Sequence, residues 1–117
     1  EYFYKLSKEE LTHAKDFMDY QITRGGKVIL GKIESVETVN STLSAFEKAL
    51  DLEREVSEHL LQIHRSSSDD PDTQNKIDIY LDEQVKSMKE LADYVTQIKG
   101  LDSTGIFIFD QSFRFQT

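Results

Sequence analysis

The sequence predicts an all-α fold, a bundle of long helices with few connections. Its 117 residues include one proline and five glycines, which is too little turn chemistry for many short strands. Apolar residues recur at alternating spacings of three and four along three long segments, as on the buried faces of bundled helices. The length suits one domain with a real core, so we expect residues 1–117 to form a single domain.

The first segment is predicted to be a helix from about Tyr2 to Thr23, because Gly25 and Gly26 follow it as a strong stop signal. Residues 27–40 show no clear helical period, and they are long for a tight turn between antiparallel helices. We expect them to run along the bundle as a crossover connection.

The second helix is predicted to start near Asn40 or Ser41, either of which suits an N-cap, and to continue to about Arg65. The tripeptide Asn-Ser-Thr at 40–42 also fits an N-glycosylation sequon. Because this sequon coincides with the start of the helix, we favour capping as its role unless the protein is secreted.

A polar turn over residues 66–72 leads to the third helix, which is predicted to begin near Asp72 or Thr73 and to end at Gly100. The aromatic tail over 105–115 is predicted to be a small helix or a strand. Exposed rings would be unusual there, so core burial is the simplest role for the tail. Its phenylalanines are Phe107, Phe109, Phe113 and Phe115.

Composition excludes several kinds of site and partner. The chain has no cysteine, so disulfides and thiolate metal sites are absent. No apolar run is long enough to span a membrane. The formal net charge of −8 disfavours nucleic acid and anionic membranes as partners and favours cations. With no visible signal peptide we expect a cytoplasmic protein, while the sequon keeps secretion open.

Each long segment carries a stripe of residues in helical register, and polar side chains interrupt every stripe. The interruptions are Glu10 with His13, then Glu53, then Gln84. The predicted stripes are Phe3, Leu6, Glu10, His13, Phe17 and Tyr20; Leu43, Phe46, Leu50, Glu53, Val56, Leu60 and Ile63; and Ile77, Leu81, Gln84, Met88, Leu91, Val95 and Ile98. One interruption alone is more typical of a surface position or a satisfied core amide, but three together indicate a shared polar site.

A metal cation would explain these interruptions. Burying an unpaired carboxylate costs several kcal/mol, and Glu10 and Glu53 would impose that cost twice on a fold with a net stability of about 5–15 kcal/mol. A cation turns the carboxylates and the imidazole into ligands. The Glu-x-x-His spacing of Glu10 and His13 places both groups on one side of one helix, as in the di-iron sites of helical bundles.

Four blocks of the chain resemble the ferritin family, in the family's order and over nearly the whole length. The segment around Glu10 and His13 resembles the second helix of that family, and the others resemble its third helix, its fourth helix and the Gly-x-x-x-Phe-Asp ending before a short fifth helix. The blocks are KEELTHAKDFMDYQITRGG, AFEKALDLEREV, YLDEQVKSMKELADYVT and GIFIFD. The resemblance implies a ferritin-like four-helix bundle with a long crossover, here represented by its last three long helices and a short C-terminal helix.

The resemblance also implies a ferroxidase centre of the heavy-subunit type. Glu10 and His13 match metal ligands of the second helix, and Glu53 matches the bridging-side carboxylate of the third. Gln84 matches the glutamine that hydrogen-bonds near the second metal, and Glu9 remains as a carboxylate that faces the storage cavity and is counted with the metal ligands. In such a centre two Fe(II) ions react with dioxygen, and the ferric product moves into a shell of ferritin subunits, expected to be a 24-mer.

Some features depart from the family pattern. The chain opens with EYFYKL, as if already inside a helix, so we expect an upstream segment to be missing. The family's first helix supplies a further glutamate ligand and a tyrosine, and no segment of this chain matches it. Thr12 and Lys15 stand where the family often has carboxylates that face the cavity. Asp72 and Asp78 are candidates for the iron channel, and His64 matches a position near it, although a structural or solvated role is favoured for His64.

Three functions stay open on the sequence alone. The first is an iron-storage subunit that oxidises Fe(II). The second is a catalytically incomplete subunit, or a remnant of the fold, that only co-assembles with other subunits. The third is a helical module whose apolar groove accepts a helix from a partner.

Overall fold

The computed structural model describes residues 1–113, and all regular structure within that range is α-helical. This confirms the predicted all-α class. The described helices are α1 (Tyr2–Thr23), α2 (Thr42–Ser66), α3 (Pro71–Lys99) and α4 (Ser103–Ser112). None of them is long and apolar enough to cross a membrane.

The chain forms two compact units. Unit 1 comprises Glu1–Glu37 together with residues from Asp110 onward, and unit 2 comprises Thr38–Phe109. Unit 1 therefore contains α1, most of the connection that follows it and the last turn of α4. Unit 2 contains α2, α3 and most of α4.

Helix α1 has the predicted bounds, and its end is fixed by a glycine pair. Gly25 adopts a positive φ of 85°, which glycine reaches without the steric penalty of a side chain. The N–H of Gly26 then donates to the Gln21 carbonyl at 2.8 Å. A side chain at Gly26 would place its Cβ 2.7 Å from Gln21 Cγ, so the chain turns away from the helix at this point only because both residues are glycine.

The predicted stripe on α1 is its least exposed face, but it is not a core. Leu6, His13, Phe17 and Tyr20 are half-buried, whereas Glu10 is exposed and no residue of the helix is fully buried. The prediction of a core stripe on α1 is therefore wrong for the described chain. An amphipathic helix buries its stripe only against other elements, and unit 1 supplies α1 with little more than a connection and a helix end.

The connection before α2 is irregular, as predicted, and Ser41 is the N-cap. The Ser41 hydroxyl accepts from the Ser44 N–H at 3.0 Å, and the Ser44 hydroxyl accepts from the Ser41 N–H at 3.1 Å. This reciprocal pair satisfies two backbone donors at the helix start. Of the two predicted caps, the structure therefore uses the serine and not Asn40.

Helix α3 begins slightly before its predicted start. Asp70 is its N-cap, because its carboxylate accepts from the Thr73 N–H at 3.2 Å and from the Thr73 hydroxyl at 2.8 Å. Pro71 occupies the first turn, where its missing N–H needs no partner. At the other end Gly100 is the C-cap, as the sequence indicated.

The core of unit 2 lies where α2 packs against α3. Most of the predicted α3 stripe is confirmed as buried, with Tyr80 added to it. Val56 and Ile63 of the α2 stripe are instead 38% and 44% exposed, because a helix covered by one neighbour buries a narrower strip than its full apolar face. The buried residues of this core are Phe46, Leu50, Leu60, Ile77, Tyr80, Gln84, Leu91, Val95 and Ile98.

The aromatic tail is a helix, not a strand. The Asp102 carboxylate accepts from the Gly105 N–H at 2.8 Å near the start of α4. In unit 2 the Phe109 ring packs edge-to-face against Phe46 and Tyr94, and Phe107 is exposed. In unit 1 Phe113 is buried and stacks at a tilt on Tyr2, whereas Phe115 lies outside the described residues.

Candidate metal centre

Glu53 and Gln84 meet across the interface of α2 and α3. Glu53 lies seven residues after Phe46 and seven before Leu60, so it shares their face of α2. Gln84 occupies the corresponding position on α3 and is only 5% exposed. Its amide Nε2 donates to Glu53 Oε2 at 2.7 Å and to the Glu53 backbone carbonyl at 3.0 Å. Both hydrogens of one amide thus bind one residue of the facing helix.

The Gln84 amide holds the half-buried carboxylate of Glu53. A hydrogen bond to a charged acceptor is worth about 1.5–3 kcal/mol, which offsets part of the cost of taking Glu53 out of water. In the described residues no protein group hydrogen-bonds the other carboxylate oxygen, Oε1. Gln84 therefore fixes one oxygen of the Glu53 carboxylate, Oε2.

Glu10 and His13 form a second pair, one turn apart on α1. Glu10 Oε2 lies 3.9 Å from His13 Nδ1, and the side chains are 47% and 29% exposed. That distance is too long for a hydrogen bond. Two ligands that each stand about 2.0–2.2 Å from one cation can be up to about 4 Å apart, so the spacing allows a shared metal ion. Glu9, the neighbouring carboxylate, is exposed.

The two pairs belong to different units of the chain. Glu10 with His13 lies in unit 1, and Glu53 with Gln84 lies in unit 2. In the described part of the chain neither unit holds a group of three or more His, Cys, Asp or Glu side chains that could enclose a metal ion. Each pair by itself supplies part of a donor set and leaves the remaining positions to other groups or water.

The candidate channel residue Asp78 contacts His64. His64 Nε2 lies 3.0 Å from Asp78 Oδ1, and the Gln74 amide donates to the His64 carbonyl at 3.1 Å. Both contacts join the end of α2 to the start of α3. Asp72, the other channel candidate, is exposed in the first turn of α3.

Sequence reasoning did not single out Tyr94 of α3, whose pKa is raised. Burial raises the pKa of the Tyr94 hydroxyl above its ordinary value of 10.0, and the nearby Glu90 carboxylate, which hydrogen-bonds to it, raises that pKa further. The i, i+4 spacing of Glu90 and Tyr94 is the signal that could have predicted the contact.

Comparison with known sequences decides the family. The sequence pattern of the ferritin family, described as a ferritin-like domain, matches residues 1–101. This chain belongs to the ferritin family. The family resemblance seen in the sequence is thereby confirmed.

Individual ferritins match most of this ferritin-family chain. It is 39% identical to the middle subunit of ferritin from Aquarana catesbeiana, in an alignment 120 positions long that covers 95% of this chain and 68% of that protein. It is 38% identical to the soma ferritin of Lymnaea stagnalis, over 94% of this chain and 67% of that protein. A chloroplastic ferritin of Malus baccata var. xiaojinensis is also 38% identical, over 94% of this chain and 48% of its own length.

Proposed function

We propose that this chain is an iron-storage subunit that takes Fe(II) as its substrate and oxidises it with dioxygen at a di-iron site. The observation that carries the proposal is the Gln84–Glu53 hydrogen bond of 2.7 Å. It joins two of the four residues that the interrupted stripes singled out, although they are 31 positions apart in the sequence. A buried amide that holds one oxygen of a carboxylate and leaves the other open is an arrangement suited to a cation ligand.

The donor set fits iron. Glu10 and Glu53 offer carboxylate oxygens and His13 offers an imidazole nitrogen, which are ligands that iron accepts. Glu9 adds a carboxylate on the same helix as the Glu10–His13 pair. We propose that Glu10, His13 and Glu53 are iron ligands, that Gln84 positions Glu53, and that residues 1–117 act as one ferritin-like domain.

The protein groups have separate tasks in this proposal. Gln84 donates to Glu53 Oε2 and holds that carboxylate in place, which would present Oε1 to a cation. His13 would bind iron through the lone pair of a ring nitrogen. At such a site each Fe(II) gives one electron to dioxygen, and the ferric product leaves for storage.

Aerobic oxidation of Fe(II) tests the proposal. We expect Fe(II) added to the protein to give a fast ferric absorbance, and Glu53→Ala or Glu10→Ala to reduce its initial rate at least about tenfold, because each removes a ligand. Glu55→Ala is the matched control, since Glu55 is an exposed carboxylate on α2. If both ligand variants oxidise iron at the parent rate, the proposed centre is wrong.

A subunit that co-assembles without oxidising iron is the second candidate. It is favoured by Thr12 and Lys15, which are not carboxylates, and by the lack of a three-donor group within either unit of the described residues. Native mass separates the two candidates when it is measured beside the oxidation rate. A large shell that oxidises iron no faster than buffer would support the co-assembling subunit, and a shell of about 24 copies that oxidises it fast would support the first.

A further inference from the structure

The N-cap of α2 bears on the role of the sequon at residues 40–42. Asn40 precedes the cap and takes no part in the Ser41–Ser44 capping box. It ends an exposed run of the connection, since residues 29–41 are all exposed. Ser41 therefore caps the helix, and capping does not compete with glycosylation at Asn40.

We propose that Asn40 is an acceptor site for an N-linked oligosaccharide. The Asn40 Oδ1 accepts a weak hydrogen bond from the Ser44 hydroxyl at 3.4 Å, and in the described residues its Nδ2 donates none. A glycosylated asparagine keeps its amide carbonyl, so the Ser44 contact survives the modification. The nitrogen that would carry the sugar has no competing partner within residues 1–113.

The surrounding structure accommodates the modification without loss of the helix start. The cap depends on the Ser41 and Ser44 hydroxyls and backbone, none of which the reaction consumes. Thr42, the third sequon residue, is the first residue of α2, and its side chain supplies the hydroxyl that the sequon requires. An exposed loop of a secreted protein is the setting in which this motif functions.

The chemistry is a simple group transfer. The Asn40 Nδ2 attacks the anomeric carbon of an oligosaccharide carried on a lipid diphosphate. The new C–N bond replaces the C–O bond to the diphosphate, which leaves with its electron pair, while Nδ2 loses one proton. No oxidant or reductant is needed, because the lipid diphosphate carries the sugar and the transferase of the secretory pathway supplies the base.

Secretion of the 117-residue chain behind a cleavable signal from cultured eukaryotic cells tests the site. We expect the secreted chain to migrate more slowly on a denaturing gel, and peptide N-glycosidase to reverse the shift and leave aspartate at position 40. Asn40→Gln and Thr42→Ala should abolish the shift, whereas Asn75→Gln, which changes an exposed asparagine outside any sequon, should keep it. A secreted parent chain without the shift, or a shift that persists in Asn40→Gln, would overturn the proposal.

Folding of the variant is checked independently. Because Asn40 is not the cap, bacterially made Asn40→Gln should have the helical circular dichroism and thermal midpoint of the parent chain. A lower midpoint would assign Asn40 a structural role and would count against its assignment as a free acceptor.

Discussion

At the residue scale, Gln84 is the polar side chain on which the α2–α3 interface depends. It is buried, and within residues 1–113 its amide donates to the backbone and carboxylate of Glu53. An interface of apolar residues alone would tolerate several registers along the helices. The amide fixes one register, because its two hydrogens must reach two acceptors of a single residue.

Replacing Gln84 with leucine should destabilise the protein. Gln84→Leu fills similar space but removes both hydrogen bonds and leaves the Glu53 carboxylate half-buried without its donor, so we expect a loss of about 2 kcal/mol in the free energy of unfolding. Urea denaturation followed by circular dichroism at neutral pH measures it. Gln97→Leu, at an exposed position of the same helix, should change stability by less than about 0.5 kcal/mol. Equal effects of the two variants would contradict this account.

Ionisation of Tyr94 should make the free energy of unfolding depend on pH in the alkaline range. Its pKa is raised in the folded protein, first by burial and then by Glu90, so the folded state holds this proton more tightly than the unfolded chain does. The contribution is fully present below pH 10 and is lost as pH rises through the folded pKa. In Tyr94→Phe the free energy of unfolding should fall less steeply above pH 10, and Glu90→Gln should lie between this variant and the parent. Identical slopes in all three proteins would show that Tyr94 titrates normally.

At the element scale, helix limits followed from caps more reliably than from apolar period. Gly25 and Gly26 ended α1 where the sequence indicated. The start of α3 was predicted one or two residues late, at Asp72 or Thr73, because the apolar period begins only at Ile77 and does not locate the Asp70 cap and Pro71. Whether the tail was helix or strand could not be decided from sequence, since its apolar run is short enough for either.

The position of α4 depends on three aromatic rings. Phe109 lies 5.8 Å from Phe46 and 5.7 Å from Tyr94, all edge-to-face. Such pairs add about 0.5–1.5 kcal/mol each beyond the area they bury, so Phe109→Ala should cost about 2 kcal/mol or more in thermal or urea unfolding. Phe107→Ala, on the same helix at a position 64% exposed, should cost less than about 0.5 kcal/mol. A reversed order of the two effects would mean that α4 packs through its other face.

At the scale of the whole molecule, the sequence predicted the contact between Glu53 and Gln84 but not the exposure of Glu10 on α1. Glu53 and Gln84 lie on stripes of two helices that pack directly, so their register alone brought them to one interface. Glu10 and His13 share a turn by spacing alone, but burial of α1 depends on partners that a stripe does not identify. A periodic pattern predicts which side chains share one face of a helix. It does not predict which other element packs on that face.

The net charge of the chain should govern how copies of it associate. Each chain carries a formal net charge of −8, so copies in a shell repel one another unless ions screen them. The screening length falls from about 30 Å at 0.01 M salt to about 10 Å at 0.1 M, so repulsion between neighbouring subunits should weaken sharply over this range. We therefore expect light scattering to show a rising fraction of large assemblies between these salt concentrations, with the helical circular dichroism unchanged. A particle mass that is the same at both would mean either that apolar contacts outweigh the repulsion or that the chain does not self-associate, and the mass itself tells which.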